Sequence, residues 1–182
     1  MLRIFLEYLE VMMSRQILLC VETNSKARTD YQYINETIHR FYVNDPKISY
    51  KPIFLESKSM YASPKKQKEI GKYIKAYPED TTVIYFIDLD DYDTNYETKK
   101  LFEDIKKYCE THAYELVFFC RDVEEVYIGK WVNDKDKVNE VKRFKSKKMI
   151  EAVLPQNLSQ NEYKINGSNI LNILDKFWTR KN

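Results

Sequence analysis

Thr81-Thr82-Val83-Ile84-Tyr85-Phe86-Ile87-Asp88-Leu89-Asp90-Asp91 is the stretch on which the fold turns. An apolar, β-branched and aromatic run ends in carboxylates spaced i and i+2. A strand of this composition is buried on both faces, the pattern of a parallel sheet. At its C-terminal end the two-residue period of the pleat predicts Asp88 and Asp90 on the same side. Open α/β sheets bind ligands at that end. Two carboxylates in one small space repel unless a proton or a cation lies between them, and hard oxygen donors suit Mg²⁺ or Mn²⁺. Acidic trios after strands also serve as solvated turns or helix caps, so a metal site requires a third carboxylate from elsewhere.

On either side of this strand, strand-like and helix-like segments alternate. Residues 16–22, Gln-Ile-Leu-Leu-Cys-Val-Glu, form a short buried strand that also ends in a carboxylate. Tyr31, Ile34, Ile38 and Phe41 at helical spacing predict a helix over 30–42. Asn44-Asp45-Pro46 is a turn, and 48–55 alternates as a second strand. Pro64 suits the first position of a helix that carries Ile70, Tyr73, Ile74 and Tyr77 and stops before Pro78. After the strand at 82–87 comes a helix over about 97–112 with Leu101, Phe102, Ile105 and Tyr108 on one face, then a fourth strand over 115–120. The order β-α-β-α-β-α-β predicts an α/β domain with a mainly parallel four-stranded central sheet flanked by helices. Without a repeat or a dividing linker, residues 1–182 read as a single domain, with 131–182 as a helical C-terminal extension.

The extension is basic at its start. Residues 130–148 hold eight Lys or Arg against three acids, interleaved with Trp131, Val138, Val141 and Phe144. This is either a solvated helix face or a phosphate-contacting segment whose cations are Lys142, Arg143, Lys145, Lys147 and Lys148. Residues 121–129 read as a loop leading into a short helix, and 168–178 as an amphipathic closing helix.

Composition narrows the class further. The chain has 182 residues, 43% apolar and 32% charged, with a formal charge of +2. Net charge alone points to neither nucleic acid nor membrane. Three widely separated cysteines make neither a zinc motif nor a disulfide framework, which fits a reducing cytoplasm. The apolar residues 1–12 are too short to span a bilayer and carry Glu7 and Glu10. They read either as an amphipathic helix able to mediate a homodimer, or as a leader ahead of a true start at Met12 or Met13. No serine has a G-x-S-x-G setting, and neither His39 nor His112 has a nucleophile at motif spacing.

Glu22 in Leu-Cys-Val-Glu-Thr, with Asp88 and Asp90 in Phe-Ile-Asp-Leu-Asp, resembles the pattern of the Toprim family: a glutamate after the first strand and Asp-x-Asp after the third. Tyr31 and Asp122-Val123-Glu124 extend the similarity toward small Toprim-like proteins of bacterial defence systems and overcoming-lysogenisation-type nucleases. The likeness covers roughly 16–130. It implies a metal site of Glu22, Asp88 and Asp90 holding Mg²⁺ or Mn²⁺, a further catalytic glutamate at Glu124, or less well at Glu125, and phosphodiester cleavage of DNA or RNA. Glu22 is then either a ligand or a general base, with Lys26 or Lys130 adding positive charge. The family has glycine directly after the glutamate, where this chain has Thr23. A second reading is a non-catalytic Toprim-like module, such as a phage-encoded inhibitor, binding nucleic acid or a partner protein. A third takes Phe86-Ile-Asp-Leu-Asp-Asp as similar to the nucleophile motif of haloacid-dehalogenase-like phosphatases, but Tyr92 stands where that family has threonine and the motif follows two earlier strands.

Overall fold

Four strands, all parallel, make the centre of the molecule: β1 (Arg15–Val21), β2 (Ile48–Phe54), β3 (Asp80–Asp88) and β4 (Glu115–Phe119), in the order β2-β1-β3-β4. The computed structural model describes residues 14–77 and 80–181, so the N-terminal helix expected over 1–13 lies outside the described residues. The two inner strands, β1 and β3, carry the longest buried runs, as strands covered on both faces must. β2 contains Pro52, which has no N–H for a ladder bond and is tolerated because the strand lies at the sheet edge.

Alternation along the inner strands sends side chains into two cores. Ile17, Leu19, Val21, Ile84 and Phe86 meet α1 (Thr29–Phe41), α4 (Val123–Ile128), α5 (Asp134–Ser146) and α6 (Ile170–Leu174). Leu18, Cys20, Val83, Tyr85 and Ile87 face Ile70 of α2 (Pro64–Ala76) and Ile105 and Cys109 of α3 (Tyr96–Thr111). The result is a three-layer α/β arrangement, the class the order of motifs predicts. Local chemistry starts the helices. The Ser63 hydroxyl accepts from Lys66 N–H ahead of Pro64, Asn95 accepts from Glu97 and Thr98 N–H, and Asn133 accepts from Lys135 N–H.

The basic segment forms α5, which lies on α1 through Phe144, its ring 4.8 Å from Tyr33 and 5.8 Å from Tyr127. The closing helix is shorter than the expected 168–178. Ser168 instead bridges to Phe119, and the Asn169 side chain binds the outer edge of β4, accepting from Phe118 N–H at 2.9 Å and donating to Leu116 O at 3.0 Å. These edge contacts occupy the residues that would have formed the first turn, so the helix begins only at Ile170. All three cysteines are free and buried. No helix among the described residues is long and apolar enough to cross a membrane.

Candidate functional site

Because β1 is followed by β2 on one side and is paired with β3 on the other, the crossover direction reverses between β1 and β3. Their C-terminal ends therefore bound the crevice where open α/β sheets hold ligands. Val21 lies opposite Phe86, which brings Glu22 beside the last residues of β3. Asp88 N–H donates to Glu22 Oε2 at 3.3 Å. β3 ends at Asp88, and Leu89 N–H continues the ladder by donating to Phe119 O at 2.9 Å. Asp90 then turns into the left-handed region at φ 40° and donates its N–H to Arg121 O, itself at φ 66°. Aspartate tolerates that conformation better than most residues. The strand alternation expected to carry Asp90 to the side of Asp88 therefore ends before reaching it.

The carboxylates divide into two groups joined by Glu22. On one side, the Lys58 ammonium donates to the Asp88 carbonyl at 3.0 Å and forms an ion pair with Asp90. Lys58 stands on a short 3₁₀ turn (Lys58–Met60) directly after β2. Burial works against its charge, but Glu22, Asp90 and Asp88 outweigh that and hold its pKa above the ordinary lysine value. On the other side, burial together with the charges of Asp30, Glu22 and Glu124 raises the half-buried Asp88 carboxyl well above the usual carboxylate range. Burial, then Asp90 and Asp30, push Glu22 up to about 7 against the pull of Lys58.

Glu124 is the most constrained member. It is 0% exposed, and neither carboxylate oxygen has a hydrogen-bond partner. Lys137 Nζ lies 3.1 Å from Oε2 and forms an ion pair with it. Burial raises Glu124 to about 7 despite that lysine. Glu124 reaches this position because Asp122 caps α4, its Oδ1 accepting from Glu125 N–H at 2.7 Å. Asp122 is itself raised by burial. Asp30 enters from the first turn of α1, its backbone N–H donating to the Thr23 hydroxyl at 3.3 Å. Thr23, where the Toprim pattern has glycine, thus ties the loop after β1 to the start of α1.

The crevice gathers Glu22, Asp30, Asp88, Asp90, Asp122 and Glu124 around two cations, Lys58 and Lys137. Such an excess of buried acid is stable only with retained protons or an added cation. Among the described residues, no three His, Cys, Asp or Glu side chains already stand in a metal-holding arrangement. The donor set is nonetheless the hard-oxygen set that Mg²⁺ and Mn²⁺ take, and Glu124 Oε1 has no hydrogen-bond partner. The donor types suit a divalent ion, but as they stand the side chains do not form a site for one.

Other expected residues lie apart. Lys26 is exposed in a turn held by the Asn24 side chain, and Lys130 pairs with Glu140 at 3.7 Å. Arg143 pairs with Glu140 at 2.5 Å, and Lys145 donates to Gln32 at 2.7 Å along the flank of α1. Lys142, Lys147 and Lys148 are exposed. Lys145 follows Lys137 by eight residues, about 12 Å along the helix axis, so Lys142 to Lys148 lie beyond the crevice that Lys137 enters. Asp30, Lys58 and Lys137 escaped the motif reading. Asp30 and Lys58 could have been found by asking which charges follow strand ends, whereas Lys137 is delivered by α5 packing and has no local signal. No family model matches the chain, and no curated protein or solved structure matches it.

Proposed function

We propose that the chain is a Toprim-like, metal-dependent phosphodiesterase acting on nucleic acid in the cytoplasm. The observation that carries this reading is the surplus of carboxylates at the β1/β3 crevice, where the fully buried Glu124 is met by Lys137 at one oxygen and by no hydrogen-bond donor at the other. Glu22, Asp88 and Asp90 would hold the ion, with Glu124 beside them. A bound Mg²⁺ or Mn²⁺ supplies charge stabilisation to the phosphoryl oxygens. If Asp88 and Asp90 hold the ion without it, Glu22, pushed up to about 7 by burial, is suited to take a proton from water at neutral pH. Lys58 is near enough to follow the negative charge of a phosphate once Asp90 is engaged elsewhere. The exposed lysines after α5 offer the nucleic-acid backbone a sequence-independent hold.

One observation favours the alternative, a non-catalytic interaction module: Lys58 already sits on Asp90 and the Asp88 carbonyl as an internal counter-ion. Cleavage of plasmid and single-stranded substrates with Mg²⁺, Mn²⁺ or EDTA separates the two readings, with wild type beside Asp88→Asn/Asp90→Asn. We expect metal-dependent cleavage that the double variant loses. Folded wild-type protein that neither cleaves nor takes up Mn²⁺ in calorimetry leaves the interaction module as the reading.

A further inference from the structure

Helix α2 carries five lysines against a single glutamate, more positive charge than the whole chain nets at +2. Lys66 is buried and used inside the fold, its ammonium bonded to Phe54 O and flanked by Glu56 and Glu69. The other four, Lys65, Lys68, Lys72 and Lys75, are exposed. Their spacing of three, four and three residues sets them within an arc of about 80°, opposite the side on which Ile70 is buried against the sheet. They form a straight stripe about 15 Å long.

On a solvated helix face, lysines are commonly offset by acids three or four residues away. α3 has that balance: its Lys99, Lys100, Lys106 and Lys107 are interspersed with Glu97, Glu103, Asp104 and Glu110. The stripe on α2 does not. Lys65 only approaches Glu56, at 4.0 Å, and among the described residues Lys68, Lys72 and Lys75 have no ion-pair partner. Lys68 and Lys72 are like charges at i and i+4, which destabilises a helix. On the edge strand β2, Lys51 adds another ammonium, 4.1 Å from the centre of the Tyr73 ring.

An uncompensated line of ammonium groups fits a polyanion. Along about 15 Å, one strand of a duplex passes about four phosphates, one for each lysine. The stripe holds no large apolar side chain that could enter a bilayer or stack on a base. Its position also leads to the carboxylate crevice. α2 follows the 3₁₀ turn that bears Lys58, and the Lys66 bond to Phe54, the last residue of β2, pins its first turn at that end of the sheet. Glu56, beside Lys65, lines an open groove of about 660 Å³ that reaches Lys26 in the loop after β1.

We propose that the lysine stripe of α2 is the docking surface for the phosphate backbone of duplex nucleic acid, held by charge and without reading sequence. The assignment rests on the phosphodiesterase reading and names the substrate class of that site.

Fluorescence anisotropy of a labelled duplex of about 20 base pairs, in EDTA and at several salt concentrations, tests it apart from cleavage. The stripe variant replaces Lys65, Lys68, Lys72 and Lys75 with Gln; a control replaces Lys99, Lys100, Lys106 and Lys107 with Gln and so removes equal charge from α3. The stripe variant should bind more than about 10-fold more weakly at low salt and lower the slope of log K against log salt by about 3–4. Arginine at the same four positions should keep both. Relief of the like-charge contacts means that the glutamine variant should melt no lower than wild type. Equal loss in the α3 control would reduce the effect to net charge and overturn the surface, as would an unchanged slope in the stripe variant. A single strand bound more tightly than the duplex overturns the duplex assignment. Stripe-dependent binding to phosphatidylserine vesicles, by a wild type that ignores nucleic acid, would make the face a membrane contact and overturn it as well. Stripe-dependent duplex binding without cleavage in Mg²⁺ or Mn²⁺ upholds the surface and overturns the phosphodiesterase; metal-dependent cleavage that the stripe variant keeps in full does the reverse.

Discussion

Glu124 shows how one residue can set a pH dependence. Its pKa rises from the ordinary glutamate value of 4.5 to about 7 because burial penalises the charged form. Between those values the folded chain keeps a proton that the unfolded chain has released. The folded state then binds more protons, and stability falls as pH rises through the window. Glu22 is raised to about 7 and acts in the same direction. The metal-free protein should therefore melt at lower temperature at pH 7.5 than at pH 5, and Glu124→Gln should flatten that slope, by at most on the order of 3 kcal/mol. Circular dichroism melts across the window check this; a wild-type Tm that climbs with pH would sink the buried-acid account. Because carboxylates bind metal only after losing protons, saturating Mn²⁺ should raise Tm more at pH 7.5 than at pH 5. Glu22, Asp88 and Asp90 were legible as carboxylates at the ends of apolar strands, whereas Glu124 was named only through the Toprim resemblance. Their environment was not, because Lys58 and Asp30 enter from other elements.

At the scale of the element, the outer edge of β4 is the point most open to a single change. A free strand edge is a template for pairing with another chain. Here Asn169 covers it with one accepted and one donated hydrogen bond, and Cys120 N–H donates to Gly167 O at 2.9 Å. Asn169→Ala leaves Phe118 N–H and Leu116 O without these partners and should cost about 1–3 kcal/mol. Urea unfolding measures the loss, and light scattering should show more self-association than in wild type. Unchanged stability would mean that water replaces the side chain without penalty. The periodicity of 168–178 predicts the amphipathic face correctly, with Ile170, Leu171, Leu174 and Trp178 buried. It misses the late start of the helix, because competition from a strand edge far away in sequence leaves no local pattern, and it misses the early end at Leu174.

For the whole molecule, the question is whether a charge of +2 hides a usable basic surface. Lys142, Lys147 and Lys148 are exposed beyond the end of the crevice, while Arg143 and Lys145 are engaged with Glu140 and Gln32. If these lysines hold phosphates, replacing all three with alanine should weaken nucleic-acid binding at low salt. It should also reduce the slope of log K against log salt by about 2–3. Fluorescence anisotropy at several salt concentrations decides it; an unchanged slope would remove the segment from the interface. By itself the sequence determined the class of fold and the carboxylates at its strand ends. Runs buried on both faces, separated by amphipathic helices, can satisfy their backbone and bury their apolar surface in a parallel α/β sheet. Only the tertiary structure decided which charges share the crevice. The order β2-β1-β3-β4 sets Lys58 against Asp90, and the docking of Phe144 on Tyr33 and Tyr127 carries Lys137 to Glu124. Those pairings arise from long-range packing, which residues distant along the chain do not announce in their own neighbourhoods.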